Sequence, residues 1–404
     1  MLPWLVLGVP AFLVVLQLVV IVPAKLYVMH ERRRKTAGPP FAGKVAVFVP
    51  CKGWEADLEE NLDAVARQEH PDFTVTYITE RESDPACEAI QRVVARRRNT
   101  SHVVAGLAHR CGQKNHNLLA GVAAHGGDAK AFVFCDADVR PGPGWLQTLL
   151  APLADAETPV ASGYKWHVPA NLTVGSVVHA MLNAFQLALL ANKVFPGVWG
   201  GSLAIRRDFW ERYQVGARWS ETVVDDISTA EILRKNGIAR KTVPECVIIS
   251  PEGIAEVHDM LDWWTRQLLY VRYHLFPLFA FAVTSYLLAG VVTLAIPFEL
   301  TYGLWMGEAL WVHAGLAGLV FLVSFAALML VVRSMVKTNF AAWRWVVMVP
   351  IAVVLNAASF FEAATSRTMR WRGITYTVAP GGRVLAVSRD ELPAVESEPE
   401  LSVP

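Results

Sequence analysis

The chain has 404 residues, 53% of them hydrophobic, a formal net charge of +1 and a mean hydropathy of +0.33. So apolar a composition excludes an ordinary soluble protein of this length and points to membrane segments. The near-zero charge gives no global field of the kind that binds nucleic acid.

Leu2 to Ala24 is a nearly unbroken apolar run, long enough to cross a ~30 Å hydrocarbon core. Lys25 and His30-Glu-Arg-Arg-Arg-Lys35 follow at once. Positive charge flanks the cytoplasmic side of a span, so the domain that follows is expected in the cytoplasm. A cleaved signal peptide carries its charges before the apolar run, so residues 1–25 read as an uncleaved anchor and 26–43 as a basic, Pro/Gly linker. The five cysteines (Cys51, Cys87, Cys111, Cys135, Cys246) show no C-x-x-C spacing. That excludes a cysteine zinc site and fits reduced thiols in a cytosolic domain.

From Val45 strands alternate with helices. Val45 to Pro50 reads as a strand, Leu58 to Gln68 as a helix with Asp57 as N-cap, and Phe73 to Thr79 as a strand ending in Glu80-Arg-Glu-Ser-Asp-Pro85. Ala86 to Arg98 reads as a helix and Val103 to Leu107 as weak strand material. A further helix opens at Gly112-Gln-Lys-Asn-His-Asn117, and a strand begins at Ala131. Such alternation implies an α/β fold with a doubly wound, mostly parallel sheet.

The strand from Ala131 delivers Asp136 and Asp138 to its carboxyl end, where open α/β sheets bind ligands. Carboxylates two residues apart there can share Mg²⁺ or Mn²⁺, with substrate phosphates completing the shell. Alone, such a pair also fits a solvated turn, as do the acids at 80–84. Asp225 and Asp226 fall at a helix start, where they either complement its dipole or supply a general base. Gly201, in Trp199-Gly-Gly-Ser202, either makes a simple turn or lets backbone approach a ligand. Residues 175–198 are apolar but broken by His179, Asn183, Gln186, Asn192 and Lys193, which fits a buried helix pair or an interfacial amphipathic helix. Ala239 to Ile249 reads as an edge strand. Ala255 to His274 reads as an amphipathic helix whose Trp263 and Trp264 suit a membrane-interface belt. About three apolar spans follow within 273–366, and 367–404 reads as a tail, disordered from Glu391. Basic residues flank both sides of the last block, so charge leaves its topology open.

The ordered set Pro50-Cys-Lys-Gly53, Glu80 to Ala86, Gly112 to Leu118, Cys135-Asp-Ala-Asp-Val-Arg140, Asp225-Asp226 and Trp263-Trp-Thr-Arg266 resembles the ceramide glucosyltransferase family of inverting, GT-A-fold glycosyltransferases. The likeness covers roughly Val45 to Arg272, with one anchor before and apolar spans after. It implies a catalytic GT-A domain over 44–272. It also implies inverting transfer of a hexose from a UDP-sugar to a lipid hydroxyl such as that of ceramide. Lys52-Gly53 matches the family's Lys-Gly turn. Asp84, with Glu80 and Glu82 nearby, matches its nucleotide-side acid. Asp136 matches its metal-facing aspartate, with Asp138 added as in the general D-x-D pattern. Asp225-Asp226 matches its acidic pair, whose second member is the base. The family's final Gln/Arg-x-x-Arg-Trp is replaced by Met260-Leu-Asp-Trp-Trp264, which keeps only the Trp. Arg266 or Lys114 then becomes the expected diphosphate contact, with Pro50, Asn115, Gly201, Trp263 and Trp264 as further substrate-binding candidates. Two rival functions remain at this level: a processive polysaccharide synthase of the same fold, and a non-catalytic nucleotide-binding membrane protein.

Overall fold

The structure, a computed structural model, describes residues 2–33, 40–55, 57–192, 197–252 and 254–390. A seven-stranded sheet forms from β1 (Val45–Pro50), β2 (Phe73–Thr79), β3 (Thr100–Val104), β4 (Ala131–Cys135), β5 (Val160–Pro169), β6 (Ser202–Arg206) and β7 (Lys241–Glu252). Its order is β3-β2-β1-β4-β6-β5-β7. Only β6 runs antiparallel to its neighbours, β4 and β5. The helices are α1 (Leu2–Arg33), α2 (Leu58–Ala66), α3 (Ala86–Arg96), α4 (Gln113–His125), α5 (Trp145–Leu150), α6 (Val174–Ala191), α7 (Arg207–Arg212), α8 (Val215–Trp219), α9 (Asp225–Lys235), α10 (Val257–His274), α11 (Phe276–Met306), α12 (Ala309–Arg333) and α13 (Ala342–Thr365). Three further strands, β8 (Met369–Trp371), β9 (Ile374–Val378) and β10 (Val384–Arg389), make a small antiparallel sheet.

The sheet is buried on both faces, which is why β1 and β4 read as continuous apolar runs. One face packs Val47, Val49 and Cys135 against α2, α3 and α5. The other carries an aromatic cluster. Phe134 stacks on Phe48 and Trp210 at ring distances of 5.8 and 5.7 Å and meets Trp219 edge-on at 4.8 Å. The third core is the helical bundle of α1, α6 and α10 to α13.

Four expectations change. First, α1 runs on to Arg33 rather than giving way to a linker at residue 26. Its last turns dock on the sheet: Tyr27 Oη donates to Thr242 O (2.7 Å), and Glu31 pairs with Lys241 (2.7 Å). Second, Val174–Ala191 forms α6, a buried helix, so of the two readings of this stretch the interfacial one falls. Its polar groups find internal partners, Asn183 with Tyr164 and Asn192 with the Val20 carbonyl. Residues 193–196 lie outside the described set. Third, residues 369–389 form the small sheet where a tail was expected, because Ile374, Tyr376 and Val378 alternate inward as a half-buried strand does. Residues from Glu391 onward lie outside the described residues. Fourth, Asp57 occupies the N-cap of α2 but makes no side-chain cap, pairing instead with Arg140 (3.3 Å).

The sheet and bundle are tied by specific bonds. Trp166 on β5, fully buried, donates to Lys337 O (2.6 Å) in the loop between α12 and α13. Within the bundle, Arg32 of α1 donates to Met335 O (2.8 Å), and Arg272 of α10 donates to the carbonyls of Ala363 and Ser366 (2.6 Å each). α1, α6, α11, α12 and α13 are each long and apolar enough to cross a membrane.

Truncating Phe134 to Ala should empty the centre of the aromatic cluster and destabilise the protein by ~3–5 kcal/mol. Thermal unfolding of the detergent-solubilised chain, followed by tryptophan fluorescence, should show a clear downward shift. Phe12→Ala on α1, a residue 45% exposed, should shift it little.

Candidate active site

The site forms at the carboxyl ends of β1 and β4. The chain order reverses between these neighbouring strands and leaves a crevice. After β4 come Asp136 and Asp138. The first turn of α4 brings Lys114, and the first turn of α9 brings Asp225 and Asp226. Lys114 joins these pieces: its Nζ lies 2.8 Å from Asp136 Oδ1 and 3.4 Å from Asp225 Oδ2. Val224, not either aspartate, is the N-cap of α9. Asp226 accepts from Ile227 N at 2.6 Å and from Gly200 N at 3.4 Å.

The Gly200-Gly201 turn is glycine for a steric reason. A Cβ on Gly200 would stand 2.0 Å from Asp225 Oδ2, and one on Gly201 would stand 2.3 Å from both Asp136 Oδ2 and the Trp199 ring. Gly112 is required likewise, since a Cβ there would meet Val223 O at 2.1 Å and push α4 away from the segment before α9.

Burial and charge set the protonation states. Burial opposes the charge on Lys114, but Asp136 and then Asp225 hold its pKa above the ordinary value. Burial raises the Asp136 pKa, partly offset by Lys114. Burial would also raise that of Asp138, but Lys165, 2.7 Å away, holds it below the usual range. Burial and then the charge of Asp225 push Asp226 up to about 7. A carboxyl that titrates near neutrality on a cavity wall is suited to taking a proton. Both border the cavity, Asp225 sealed at 1% exposure and Asp226 partly exposed.

That cavity measures about 1390 Å³. Its polar end is lined by Pro50, Lys52, Gly53, Lys114, Asp136, Asp138 and Asp226. Its apolar end reaches Leu16 and Val20 of α1, Phe185 and Leu189 of α6, and Phe281 and Tyr286 of α11. Trp263 and Trp264 lie in its wall instead of forming an outward belt. They stack at 5.6 Å, and Trp264 Nε1 donates to Asn356 Oδ1 (2.7 Å). Arg266 also lines it, and its guanidinium makes no hydrogen bond or ion pair with the described residues.

Five of the expected residues stand back from the cavity, Gly201 among them. Asp84 accepts from Gly53 N (2.8 Å) and Ala86 N (2.9 Å), so it ties the turn after β1 to the start of α3. Glu80 anchors Lys52 (3.0 Å). Glu82 is exposed. Asn115 is fully buried and donates to the Trp219 and Thr222 carbonyls, which fixes α4 to the segment before α9. Sequence reasoning missed Lys165, His167, Gly200 and Arg372, all but Gly200 in the cavity wall. The signal for the first two was present. Val160, Ser162, Tyr164, Trp166 and Val168 alternate with a face carrying Lys165 and His167.

Among the described residues no cluster of three or more His, Cys, Asp or Glu could cage a metal ion. The donor set does suit a hard cation that takes few protein ligands and completes its shell with phosphate oxygens. Asp136 and Asp138 face the cavity with side chains 27% and 38% exposed.

A doubly wound sheet with carboxylates at its switch point, joined to an anchor helix and a bundle of long apolar helices, defines a membrane-associated glycosyltransferase of the GT-A fold. The chain belongs to glycosyl transferase family 21, whose profile matches residues 12–384 and so includes both the sheet and the apolar helices. A solved structure similar to it is the mannosyltransferase PcManGT from Pyrobaculum calidifontis in complex with GDP-Man and Mn2+. That structure shows 17% identity and a TM-score of 0.49, over 87% of this chain and 99% of that one. No curated protein sequence matches the chain.

Gly201→Ala should displace the Asp136 carboxylate and cut transferase activity at least about tenfold, with overpacking costing ~1–3 kcal/mol of stability. Gly142→Ala, where an added Cβ meets nothing within 4 Å, is the control that should change neither rate nor melting temperature.

Proposed function

We propose that this glycosyltransferase moves glucose or a related hexose from a UDP-sugar to the hydroxyl of a membrane lipid, ceramide or a similar lipid, in one inverting displacement. The observation that carries the reading is the continuity of the cavity. A polar end with carboxylates and cations opens into an apolar end formed by helices long enough to span a membrane. A sugar nucleotide matches the first chemistry and an acyl chain the second.

The nucleoside lies against Pro50 and the Lys52-Gly53 turn, which Asp84 and Glu80 hold in shape from behind. Asp136 and Asp138 are the residues that would hold Mg²⁺ or Mn²⁺. When bound, such an ion offsets the charge that develops on the diphosphate leaving group. Lys114 holds Asp136 and Asp225 in register. Arg266, uncommitted to any described partner, faces the cavity as a cation for the departing diphosphate. Asp226 takes the proton from the acceptor hydroxyl, with burial and then the charge of Asp225 holding its pKa near neutrality. Trp263 and Trp264 wall the passage through which the lipid reaches Asp226. The catalytic domain sits in the cytoplasm, a side assigned from His30, Arg32 and Arg33 in the last turn of α1.

Membranes containing the protein, given radiolabelled UDP-glucose, UDP-galactose or UDP-N-acetylglucosamine with Mn²⁺ or Mg²⁺, should label a lipid that partitions into organic solvent. Label confined to insoluble polymer would overturn the reading in favour of a polysaccharide synthase. Asp226→Asn should lower transfer by about 10²–10⁴-fold and leave UDP binding within about twofold. Loss of UDP binding in that variant would count against the base assignment. The base acts when ionised, and half of it is protonated at about pH 7. The wild-type kcat/KM should therefore rise from pH 6 to pH 8 and level off above. A flat profile across that range would remove Asp226 from the role.

A further inference from the structure

The small C-terminal sheet is not an appendage. Tyr376 Oη accepts from Gln113 N (3.1 Å), and Arg389 donates to Gln113 Oε1 (2.7 Å) and Ala108 O (3.0 Å), so the sheet is braced on the first turn of α4 beside Lys114. A second brace runs to α10 and to the segment before α9. Gly381 N donates to Tyr273 O (2.7 Å), and Val384 N to Glu221 O (2.8 Å). Met369, Trp371 and Tyr376 thereby become part of the cavity wall.

The hairpin joining β8 to β9 has a two-residue loop, Arg372-Gly373, with φ of +46° and +74°. Two positive φ values in a two-residue loop define the turn that Asn-Gly or Gly-Gly makes at least conformational cost. An arginine with φ > 0 is strained, and strain of this kind collects where a side chain has work to do. The strained residue lines the cavity. Its guanidinium donates to Lys52 O (2.5 Å) and to Glu55 Oε1 (2.7 Å), on the turn that follows β1. Its charge also reaches the Asp138 carboxylate, after Lys165 and His167.

Of the other cations at this mouth, Lys52 is held by Glu80, Lys114 by Asp136 and Asp225, and Lys165 by Asp138, whereas Arg140 pairs with the exposed Asp57 and Glu60 and Arg266 has no ion pair with a described residue. The partner of Arg372, Glu55, is 37% exposed, and an ion pair so exposed holds its arginine weakly. A planar guanidinium with several donors matches a phosphate group better than the one carbonyl and one exposed carboxylate oxygen it meets here. We propose that Arg372 binds the diphosphate of the sugar-nucleotide donor, and that the β8–β9 hairpin is a wall of the donor site, built from the far end of the chain. The inference rests on the sugar-nucleotide reading above and adds a donor-binding residue to it.

The turn geometry supplies a clean test. Arg372→Asn replaces a strained residue with one the turn favours, so the hairpin should hold and the melting temperature should not fall. Calorimetric titration of the full-length, detergent-solubilised protein with UDP and with uridine, in magnesium, then separates the roles. Arg372→Asn should weaken UDP binding at least about tenfold and leave uridine binding unchanged, and Arg372→Lys should recover part of the loss. Equal UDP affinity in wild type and Arg372→Asn would overturn the assignment while leaving the transferase reading intact. So would parallel loss of UDP and uridine binding, since the hairpin would then merely shape the turn after β1. A wild-type protein that binds neither ligand would defeat the sugar-nucleotide reading itself, and this inference with it.

Discussion

One ammonium group organises the polar end of the cavity. Lys114 comes from α4, Asp136 from the end of β4 and Asp225 from the start of α9, three segments far apart in the chain. Burying such charges costs several kcal/mol per ion, and their attraction repays that only with good geometry. The arrangement is therefore a poor source of stability and a good source of position. It also dictates the surrounding sequence. Gly200 and Gly201 are small because carboxylates fill the space a side chain would take. Gly112 is small because α4 must approach the 222–224 segment closely enough for Lys114 to reach across. Asn115, one residue on, clamps the same contact from within.

Much of the fold was legible because burial and periodicity speak directly. Both-face burial made β1 and β4 continuous apolar runs, and the apolar blocks expected within 273–366 became the long helices α11, α12 and α13. The missed elements had mixed signals. In β5 a mostly apolar parity alternates with Ala, Gly, Lys and His, and the glycine is there because Gly163 crosses Ser202 and Cys246 too closely for a side chain. The C-terminal strands are short and charged, and their turn carries Arg-Gly in place of a familiar hairpin dipeptide. Individual chemistry-bearing residues were legible from type and spacing. Their partners were not, because no local pattern says that Lys165 will meet Asp138 or that Arg372 will reach a turn 320 residues away. The same limit explains Asp84 and Glu80. Acidic strand ends were visible, but only the fold shows that they brace a turn instead of facing the cavity.

The acid pair on α9 shows how adjacent residues of one type come to differ. Asp225 points inward to Lys114 and is sealed, while Asp226 turns to the cavity and feels its neighbour's charge. One carboxylate acts as fixed electrostatic scaffolding, and the other has its proton affinity tuned by it.

The bonds between sheet and bundle leave the soluble part little freedom to swing. The Trp166 and Tyr27 hydrogen bonds and the Glu31–Lys241 pair lock it to the helices at separated points. Such a mounting acts as a fixed gauge of height. Under the proposed reaction, Asp226 stands at one set elevation above the hydrocarbon, and an acceptor is chosen by how far its hydroxyl rises from the bilayer as well as by its chemistry. Lipids with the right headgroup but a hydroxyl held too deep or too high would be passed over, and membrane thickness itself would become a parameter of the enzyme's selectivity.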